Sequence, residues 1–316
     1  MPDEPGVLRY ATGLGRDGER LDVALAELTG LSRRRVRSRI EDGQVWVNGR
    51  PVRVLSRAVA FADVLDFIPE AHDTPRQPSP PRQLPLLHDD GWLVAVDKPF
   101  GMASQAPRRR GADELSVVEA LTLQLAHREG RRVELLLFHR LDRITTGVLL
   151  FPRHHEAASA LTREWRGGEV VKHYLAVVCG DPGPGERELA GAIAADPLVP
   201  GRFVVDRRGR PAHTTMRRIA TSEGFSLVEL RPRTGRTHQV RVHLAEAGWP
   251  VAGDSLYGGH GPSRPLLHAW QLGLPHPRNR HPLRIVAPLP PALVAFAARV
   301  GLAAELATLT GAPGRS

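Results

Sequence analysis

The sequence predicts an α+β fold in which a mostly antiparallel mixed sheet is flanked by helices, preceded by a small N-terminal domain. Apolar runs of strand length recur without the regular strand–helix alternation of a parallel α/β protein. A segment rich in proline and polar residues, 71–85, divides a unit at 19–70 from a larger domain at 86–306. Residues 1–18 and 307–316 are predicted to be an extension and a frayed tail.

The N-terminal unit is predicted to combine two short helices with a β-hairpin. The apolar positions that repeat at helical spacing are Leu21, Leu25 and Leu28. Ser32 is placed to cap a second helix, which Gly43 ends. Alternating valines then lead into Asn48 and Gly49, a pair typical of a two-residue hairpin turn.

Positive charge, carried almost entirely by arginine, dominates the chain. The formal net charge is +9, and lysine occurs only as Lys98 and Lys172. The second helix concentrates this charge in Arg33, Arg34, Arg35, Arg37 and Arg39. Arginine binds phosphates and stacks on bases, so we expect nucleic acid as the partner. The alternative is a codon bias toward arginine. Such a bias explains the number of arginines better than it explains their clustering.

The larger domain is predicted to contain strands and helices in no fixed order. Strands are expected at residues 92–96, 133–138, 148–151, 170–179, 214–220 and 226–230. Amphipathic helices are expected at residues 115–127 and 155–165. Thr237 is expected to cap a further helix that Gly248 ends.

Several classes of function fit the sequence poorly. A glycine pattern at residues 13–18 matches a dinucleotide fingerprint, but the sequence before it shows no good strand signal and no βαβ unit contains it. The histidines lack metal-ligand spacing, the one cysteine, Cys179, lies in an apolar run, and no Gly-x-Ser-x-Gly element occurs. Without an apolar run of membrane length or a signal-peptide pattern, we expect a soluble, cytoplasmic protein without a metal.

Asp142 is the strongest candidate for a functional carboxylate. It lies in residues 139–151, His-Arg-Leu-Asp-Arg-Ile-Thr-Thr-Gly-Val-Leu-Leu-Phe, between two arginines and ahead of hydroxyl residues and a glycine. Apolar runs on both sides place it on a tight connection at the edge of a sheet, where an acid can face a pocket. Most aspartates in turns only accept backbone hydrogen bonds, so this segment alone leaves both roles open.

Three further segments extend this pattern along the larger domain. They are Asp97-Lys98-Pro99, then Lys172-His173-Tyr174-Leu175-Ala176, then residues 235–244, Gly-Arg-Thr-His-Gln-Val-Arg-Val-His-Leu. Gly253-Asp254 and Tyr257-Gly258 follow shortly after. In this order the four segments resemble the pseudouridine synthases of the RluA family, over roughly residues 86–291. The resemblance implies the isomerisation of uridine to pseudouridine in RNA, without a cofactor or a metal.

The resemblance also implies roles for individual residues. Asp142 corresponds to the catalytic aspartate, Tyr174 to the tyrosine that stacks on uracil, and Arg241 to the basic residue that pairs with the aspartate. Arg140 corresponds to the arginine that helps to displace the target base. The two neighbours assigned with Arg140 to the RNA are His139 and Thr146. Thr146 replaces the serine common in the family, and we expect it to be tolerated because it keeps the hydroxyl.

The N-terminal unit resembles the S4 RNA-binding domain, through residues 20–22, 31–33 and 43–49. It departs from that family at Ala62-Asp63, where Gly-Asp is usual. We therefore assign Arg33, Arg34, Arg35 and Arg37 to RNA binding. Ribosomal RNA is favoured as the substrate, transfer RNA stays possible, and we expect a monomer. The alternative is a non-catalytic RNA-binding or assembly factor on the same scaffold.

Overall fold

The computed structural model describes residues 7–68, 83–106 and 115–311, which fall into two compact units. The first unit comprises the described residues up to Leu84 together with residues 105–135, and the second comprises residues 85–104 and those from Leu136 onward. Most of the predicted linker, the first six residues and the last five of the tail lie outside the described residues. No helix in the described ranges is long and apolar enough to cross a membrane.

The helices and strands follow one another in a mixed order along the chain. The helices are α1 (Leu21–Thr29), α2 (Arg33–Glu41), α3 (Val117–Glu129), α4 (His155–Arg166), α5 (Gln239–Glu246), α6 (Pro291–Arg299) and α7 (Ala303–Gly311). The strands are β1 (Leu8–Ala11), β2 (Val45–Val47), β3 (Arg50–Pro51), β4 (Val64–Phe67), β5 (Leu86–Asp89), β6 (Leu93–Lys98), β7 (Thr146–Pro152), β8 (Val171–Cys179), β9 (Glu186–Ala195), β10 (Phe203–Val205), β11 (Arg210–Ser222), β12 (Phe225–Pro232), β13 (Leu267–Pro275) and β14 (Pro282–Val286).

The first unit contains an antiparallel sheet in the order β1-β4-β2-β3. The apolar faces of α1 and α2 and the inner face of the sheet form one core. The predicted hairpin is confirmed: Asn48 and Gly49 both have positive φ, 53° and 74°, as a type I′ turn requires. Ser32 caps α2 as predicted, since its side chain accepts from the amide of Arg35.

Ala62, where the S4 family usually has glycine, adopts the left-handed φ of 62°. The turn forms nevertheless, because the carboxylate of Asp63 accepts from the amide of Ala60 at 2.8 Å and from the side chain of Asn48 at 2.8 Å. The amide of Ala62 also donates to the carbonyl of Thr12. Tertiary hydrogen bonds therefore hold a conformation that the alanine side chain disfavours.

The second unit is built on a ten-stranded sheet in the order β10-β9-β11-β12-β8-β13-β7-β6-β5, with β14 paired to β13. Every pairing is antiparallel except that of β13 with β7, so the predicted α+β class with a mostly antiparallel sheet is confirmed. Alternate residues of β8 enter two cores: Leu175, Val177 and Cys179 pack with α6 and α7, while Ala176 and Val178 pack with α5. Tyr174 consequently lies on the α5 side.

Several sequence-based expectations for local structure are wrong. β1 lies within the predicted N-terminal extension and pairs with β4, and α7 continues to Gly311, into the predicted frayed tail. Residues 133–138 form no strand, although Val133 and Leu135 are buried. The amide of Leu136 donates to the carbonyl of Pro152 at the end of β7, but this single bond does not continue into a ladder.

Thr237 does not cap α5: the N-cap is His238, with φ 56° and no side-chain cap hydrogen bond. The side-chain oxygen of Gln239 instead accepts from the amide of Arg236 in the preceding loop. The hydroxyl of Thr237 is thereby left for another partner.

Candidate active site

One cavity in the second unit gathers three of the four sequence segments. Its volume is about 390 Å³. The segment of Asp142 forms one side, Tyr174 and Lys172 of β8 form another, and residues 234–241 with the start of α5 form a third. The arrangement follows from topology, because β8 lies at the centre of the sheet and α5 packs on the face that carries Tyr174.

Asp142 lies in a tight turn that leads directly into β7. The amide of Thr145 donates to the carbonyl of Asp142 at 3.0 Å. Two residues after Thr145, Gly147 has φ 110°, and a Cβ there would lie 2.1 Å from the carbonyl oxygen of Ala269 on β13. Only glycine permits this close approach of the strands, so β13 fixes where the turn ends and where Asp142 faces the cavity.

The fourth segment contains Lys98, whose side chain hydrogen-bonds to the backbone of this turn. Lys98 is completely buried, and its ammonium donates to the carbonyls of Pro99, Met102 and Arg143. Burial lowers the pKa of Lys98 to about 8, although the negative charge of Asp142 opposes this shift. Lys98 therefore fixes the backbone beside Asp142 and adds positive charge beneath it.

Arg241 connects Asp142 to a second, more deeply buried carboxylate. Its Nε and Nη2 donate to the two oxygens of Asp254 at 2.6 and 2.9 Å, a bidentate pair. Its Nη1 lies 3.7 Å from Oδ2 of Asp142. Arg241 and Asp254 are almost fully buried, whereas Asp142 faces the cavity. Arg241 thus has the position that the resemblance implies, but its tightest partner is Asp254.

Tyr257 and His238 complete the surroundings of Arg241. The guanidinium carbon lies 4.8 Å from the centre of the Tyr257 ring, a cation–π contact. A hydrogen bond of 2.9 Å joins the Tyr257 hydroxyl to Nδ1 of His238, which lines the cavity. Burial lowers the pKa of His238, although the charge of Asp142 opposes the shift. These contacts leave Arg241 a single orientation.

Tyr174 forms the apolar wall of the cavity. Burial, and then the charge of Asp142, raise the pKa of its phenol, which therefore stays neutral at physiological pH. On the same strand, the ammonium of Lys172 lies 4.8 Å from the ring of Trp165 and donates to the carbonyl of Thr234 at 2.9 Å. Burial lowers the pKa of Lys172 to about 8. Aromatic and basic side chains thus line the cavity together.

Arg140 is an exposed charged residue that lines the cavity. Its Nη2 donates to the hydroxyl of Thr237 at 2.8 Å, so the hydroxyl predicted to cap α5 holds Arg140 instead. This neutral partner leaves the full charge of Arg140 available to RNA.

His139 and Thr146, which the sequence assigns to RNA contact, instead make hydrogen bonds within the protein. Nε2 of His139 accepts from the amide of Leu150 at 2.9 Å, and its ring lies 5.5 Å from that of Trp165. Burial lowers the pKa of His139 to about 3, so the ring is neutral at physiological pH. Thr146 is buried and hydrogen-bonded to Nδ1 of His268 at 2.8 Å, and it does not line the cavity. Both side chains hold the Asp142 segment to the sheet.

The arginines of α2 form a separate basic surface on the first unit. Arg33, Arg34, Arg35 and Arg37 are exposed. Arg33 donates to Asp22 at 3.0 Å, and Asp22 is itself buried. Arg39, by contrast, is buried and donates to Gln44 at 2.7 Å. The exposed positive charge is suited to phosphate groups.

Sequence reasoning missed the roles of Asp254, Tyr257 and His238. The pairs Gly253-Asp254 and Tyr257-Gly258 were visible in the sequence, but no periodicity connected them with Arg241. A loop between α5 and β13 brings them there. Gly253 has φ 81°, and a Cβ on it would lie 2.3 Å from the carbonyl oxygen of Arg264, so this loop admits only glycine next to Asp254.

One cluster in the described part of the chain has side chains that could hold a metal ion, namely His88, Asp90 and His276. Both histidines hydrogen-bond to the same oxygen of Asp90, at 2.9 and 2.7 Å. None of the three lines the cavity. The cluster joins the β5–β6 turn to the β13–β14 turn.

Comparison with protein families gives two matches. The family described as "RNA pseudouridylate synthase" matches residues 92–246, and the "S4 domain" matches residues 19–65. An "uncharacterized RNA pseudouridine synthase" of Mycobacterium bovis is 32% identical over 87% of this chain and 92% of its own length. The "ribosomal large subunit pseudouridine synthase D" of Nitrosomonas europaea is 31% identical over 88% of this chain and 83% of its own length.

Two solved structures have a similar fold. "Human RNA Pseudouridylate Synthase Domain Containing 4" is 28% identical, with a TM-score of 0.54 over 68% of this chain and 92% of its own. "Human RNA Pseudouridylate Synthase Domain Containing 1" is 23% identical, with a TM-score of 0.57 over 76% of this chain and 100% of its own. The second similarity bears on the fold alone.

Proposed function

Because the chain belongs to the RNA pseudouridylate synthase family and isomerises uridine to pseudouridine in RNA, we propose that Asp142 is the carboxylate that performs the reaction. The observation that carries this proposal is its position. Asp142 faces a 390 Å³ cavity between the ring of Tyr174 and the charge of Arg241, whose Nη1 lies 3.7 Å away.

The reaction replaces a C–N glycosidic bond by a C–C bond. In the proposed route, an oxygen of Asp142 bonds to C1′ of the ribose while the C1′–N1 electron pair leaves with the uracil. The detached uracil turns in the cavity, and its C5 attacks C1′ as the carboxylate departs with its electron pair. The released carboxylate takes the C5 proton, the electron pair of the C5–H bond restores the C5–C6 double bond, and N1 takes up a proton from solvent, which gives the neutral pseudouridine base and leaves the carboxylic acid to return its proton to solvent. Arg241 stabilises the Asp142 carboxylate before the reaction and after its release, when the carboxylate carries its full negative charge.

The cavity walls suit the handling of the target base. A stacked uridine is inaccessible, so it must be flipped out of its helix at a cost of a few kcal/mol. Arg140 lines the cavity with only a neutral partner and can take the vacated place. The Tyr174 ring can hold the flipped uracil by stacking, which contributes about 1–3 kcal/mol. Trp165 and Lys172 line the same cavity and can help to keep the detached base bound.

For the substrate we propose large-subunit ribosomal RNA. Relatives that match over most of their length are named for the ribosomal large subunit, and the S4 unit adds an exposed row of arginines on α2. Phosphate contacts of this kind supply affinity with little sequence preference. Action on ribosomal RNA would agree with the predicted cytoplasmic location. The monomeric state stays a prediction.

The test combines purified protein with cellular RNA. Wild-type protein should form pseudouridine in 23S-type RNA fragments, and Asp142→Asn should lower turnover on the order of 10⁴-fold or more while RNA affinity changes little. Exposed Asp181→Asn provides a matched control. Pseudouridine mapping in cells lacking the protein identifies the position. If Asp142→Asn retains turnover, the nucleophile is another residue; if only transfer RNA is modified, the substrate assignment is wrong.

A further inference from the structure

A second cavity adjoins the active site and is lined by three arginines. Its volume is about 380 Å³. The side chains that matter are Arg140, Arg210, Arg236, Ile193, Phe203 and Thr237. Arg140, Arg236 and Thr237 line the active-site cavity as well, so the two cavities share a wall. A ligand in the second cavity would therefore lie next to the uridine in the first.

The positive charge of this cavity is not neutralised within the described residues. No carboxylate lines it. Arg140 donates to the hydroxyl of Thr237, and Nε of Arg236 donates to the carbonyl of Pro211 at 3.0 Å, both neutral partners. The side chain of Arg210 has no hydrogen bond or ion pair to any residue that the structure describes. Three guanidinium groups without a counter-charge favour an anion, and the phosphate group matches their forked geometry.

Several other arginines in and around the same sheet are paired with carboxylates. Arg217 donates to Glu229, Arg208 to Asp206, and Arg233 to Glu188. On β11 itself, Arg217 and Arg218 have such partners, whereas Arg210 has none among the described residues. The lack of a carboxylate around the second cavity indicates that its charge serves a ligand.

The far wall of the cavity is aromatic and rigid. Phe203 lies on β10, its amide donates to the hydroxyl of Tyr257 at 2.9 Å, and its ring contacts that of His238 edge to face at 5.3 Å. Arg210 lies opposite Ile193 in the β11–β9 register. An aromatic ring facing a basic cluster is the arrangement that holds an unpaired nucleotide, with its base on the ring and its phosphate on the arginines.

We propose that this cavity is a subsite for the nucleotide adjacent to the target uridine, with Arg210 and Arg236 on the linking phosphate and Phe203 against the base. The proposal rests on the uridine isomerisation described above and adds a second recognition step to it. The enzyme then engages two neighbouring nucleotides outside the helix, so its target uridines lie in unpaired or weakly paired RNA. Arg140 lines both cavities.

The test uses the full-length protein and a short RNA that contains its mapped uridine. Arg210→Gln should raise the KM about tenfold with little change in kcat, and reduce the slope of log affinity against log salt by about 0.7. The matched control is Arg207→Gln, which removes the same charge from an exposed position in the turn just before β11 but does not line the cavity. It should behave as wild type.

Chemically modified RNA substrates distinguish recognition of the linking phosphate from recognition of the neighbouring base. A methylphosphonate at one phosphate beside the uridine should weaken RNA binding by the wild type about tenfold, and should weaken binding by Arg210→Gln no further. An abasic site next to the uridine should weaken RNA binding by the wild type but not by Phe203→Leu. The proposal is overturned if Arg210→Gln matches Arg207→Gln, or if the variant weakens only inhibition by inorganic phosphate and leaves the RNA KM unchanged. A wild type that forms no pseudouridine would instead contradict the proposed function.

Discussion

Asp254, rather than Asp142, is the tightest ion-pair partner of Arg241. The pair is bidentate at 2.6 and 2.9 Å and almost fully buried, whereas the contact with Asp142 measures 3.7 Å. Two carboxylates thus share one guanidinium, and the buried one determines its orientation. Arg241 is then already in place before the reaction begins, which is how a fixed charge contributes most to catalysis.

Asp254→Asn should lower kcat about 10- to 100-fold while the KM for RNA changes little. The substitution removes the charge that fixes Arg241, and displacement of such a group by about 1 Å costs rate rather than substrate affinity. Single-turnover kinetics on protein shown to be folded by circular dichroism provide the measurement. Asp206→Asn, at an exposed pair with Arg208, is the control and should match wild type.

Arg241→Ala is a poorer test, because it leaves buried Asp254 without a counter-charge and should cost roughly 3–5 kcal/mol of folding stability. Arg241→Lys keeps the charge but not the fork, so it should fold and lose rate. If Asp254→Asn and Asp206→Asn turn over equally fast, Asp254 does not position Arg241.

Tyr174 should contribute through its ring more than through its hydroxyl. Tyr174→Phe keeps the stacking surface and should leave the affinity for RNA within a few fold. Tyr174→Leu removes that surface and should cost about 1–3 kcal/mol of binding to a uridine-containing RNA. Fluorescence anisotropy in an Asp142→Asn background measures both without turnover. Equal affinities for the two variants would contradict a stacking role.

His139 should make the protein less stable in mild acid. Burial lowers its pKa from 6.5 to about 3, so between these values the unfolded chain binds a proton that the folded protein does not. Stability contributed by neutral His139 is therefore complete above about pH 7 and is lost as the pH falls below 6.5. Between pH 7.5 and 5.0 the loss is about 2 kcal/mol for one such histidine.

Urea unfolding at the two pH values measures this effect, and His139→Gln should show a smaller pH dependence than wild type. His155→Gln, at an exposed position, is the control. His268 is also buried with its pKa lowered, to about 4, so part of the dependence should remain in His139→Gln. An unchanged pH dependence in that variant would show that the pKa of His139 is not lowered in the folded protein.

Ala62→Gly should leave the first unit as stable as before or stabilise it by up to about 1 kcal/mol. Relief of the left-handed backbone favours the variant by about 1–2 kcal/mol, and the added freedom of the unfolded chain offsets about 0.5–1 kcal/mol. The same change at Ala26, within α1, should destabilise by about 1 kcal/mol. Thermal unfolding of the two variants compares them directly, and losses of equal size would contradict strain at Ala62.

The sequence predicted the elements whose signals are local. Ser32 before α2, Asn48-Gly49 in the hairpin and the apolar run of β7 all depend on neighbouring residues, and the structure bears each of them out. Residues 133–138 carried the same apolar signal and form no strand, because a strand exists only if a partner strand lies alongside. Whether one does is decided by distant parts of the chain.

The sequence by itself determined the family and the order of the motifs, and it proposed Asp142, Tyr174 and Arg241 as site residues, because all of these depend on residue type and spacing. Only the tertiary structure decided which charges meet. Asp254 is 13 residues beyond Arg241 and 112 beyond Asp142, yet it holds the guanidinium that lies beside Asp142. Likewise Arg140 meets Thr237 across 97 residues. Hydrogen bonds and ion pairs depend on distances of a few ångströms, and sheet pairing and helix packing set those distances.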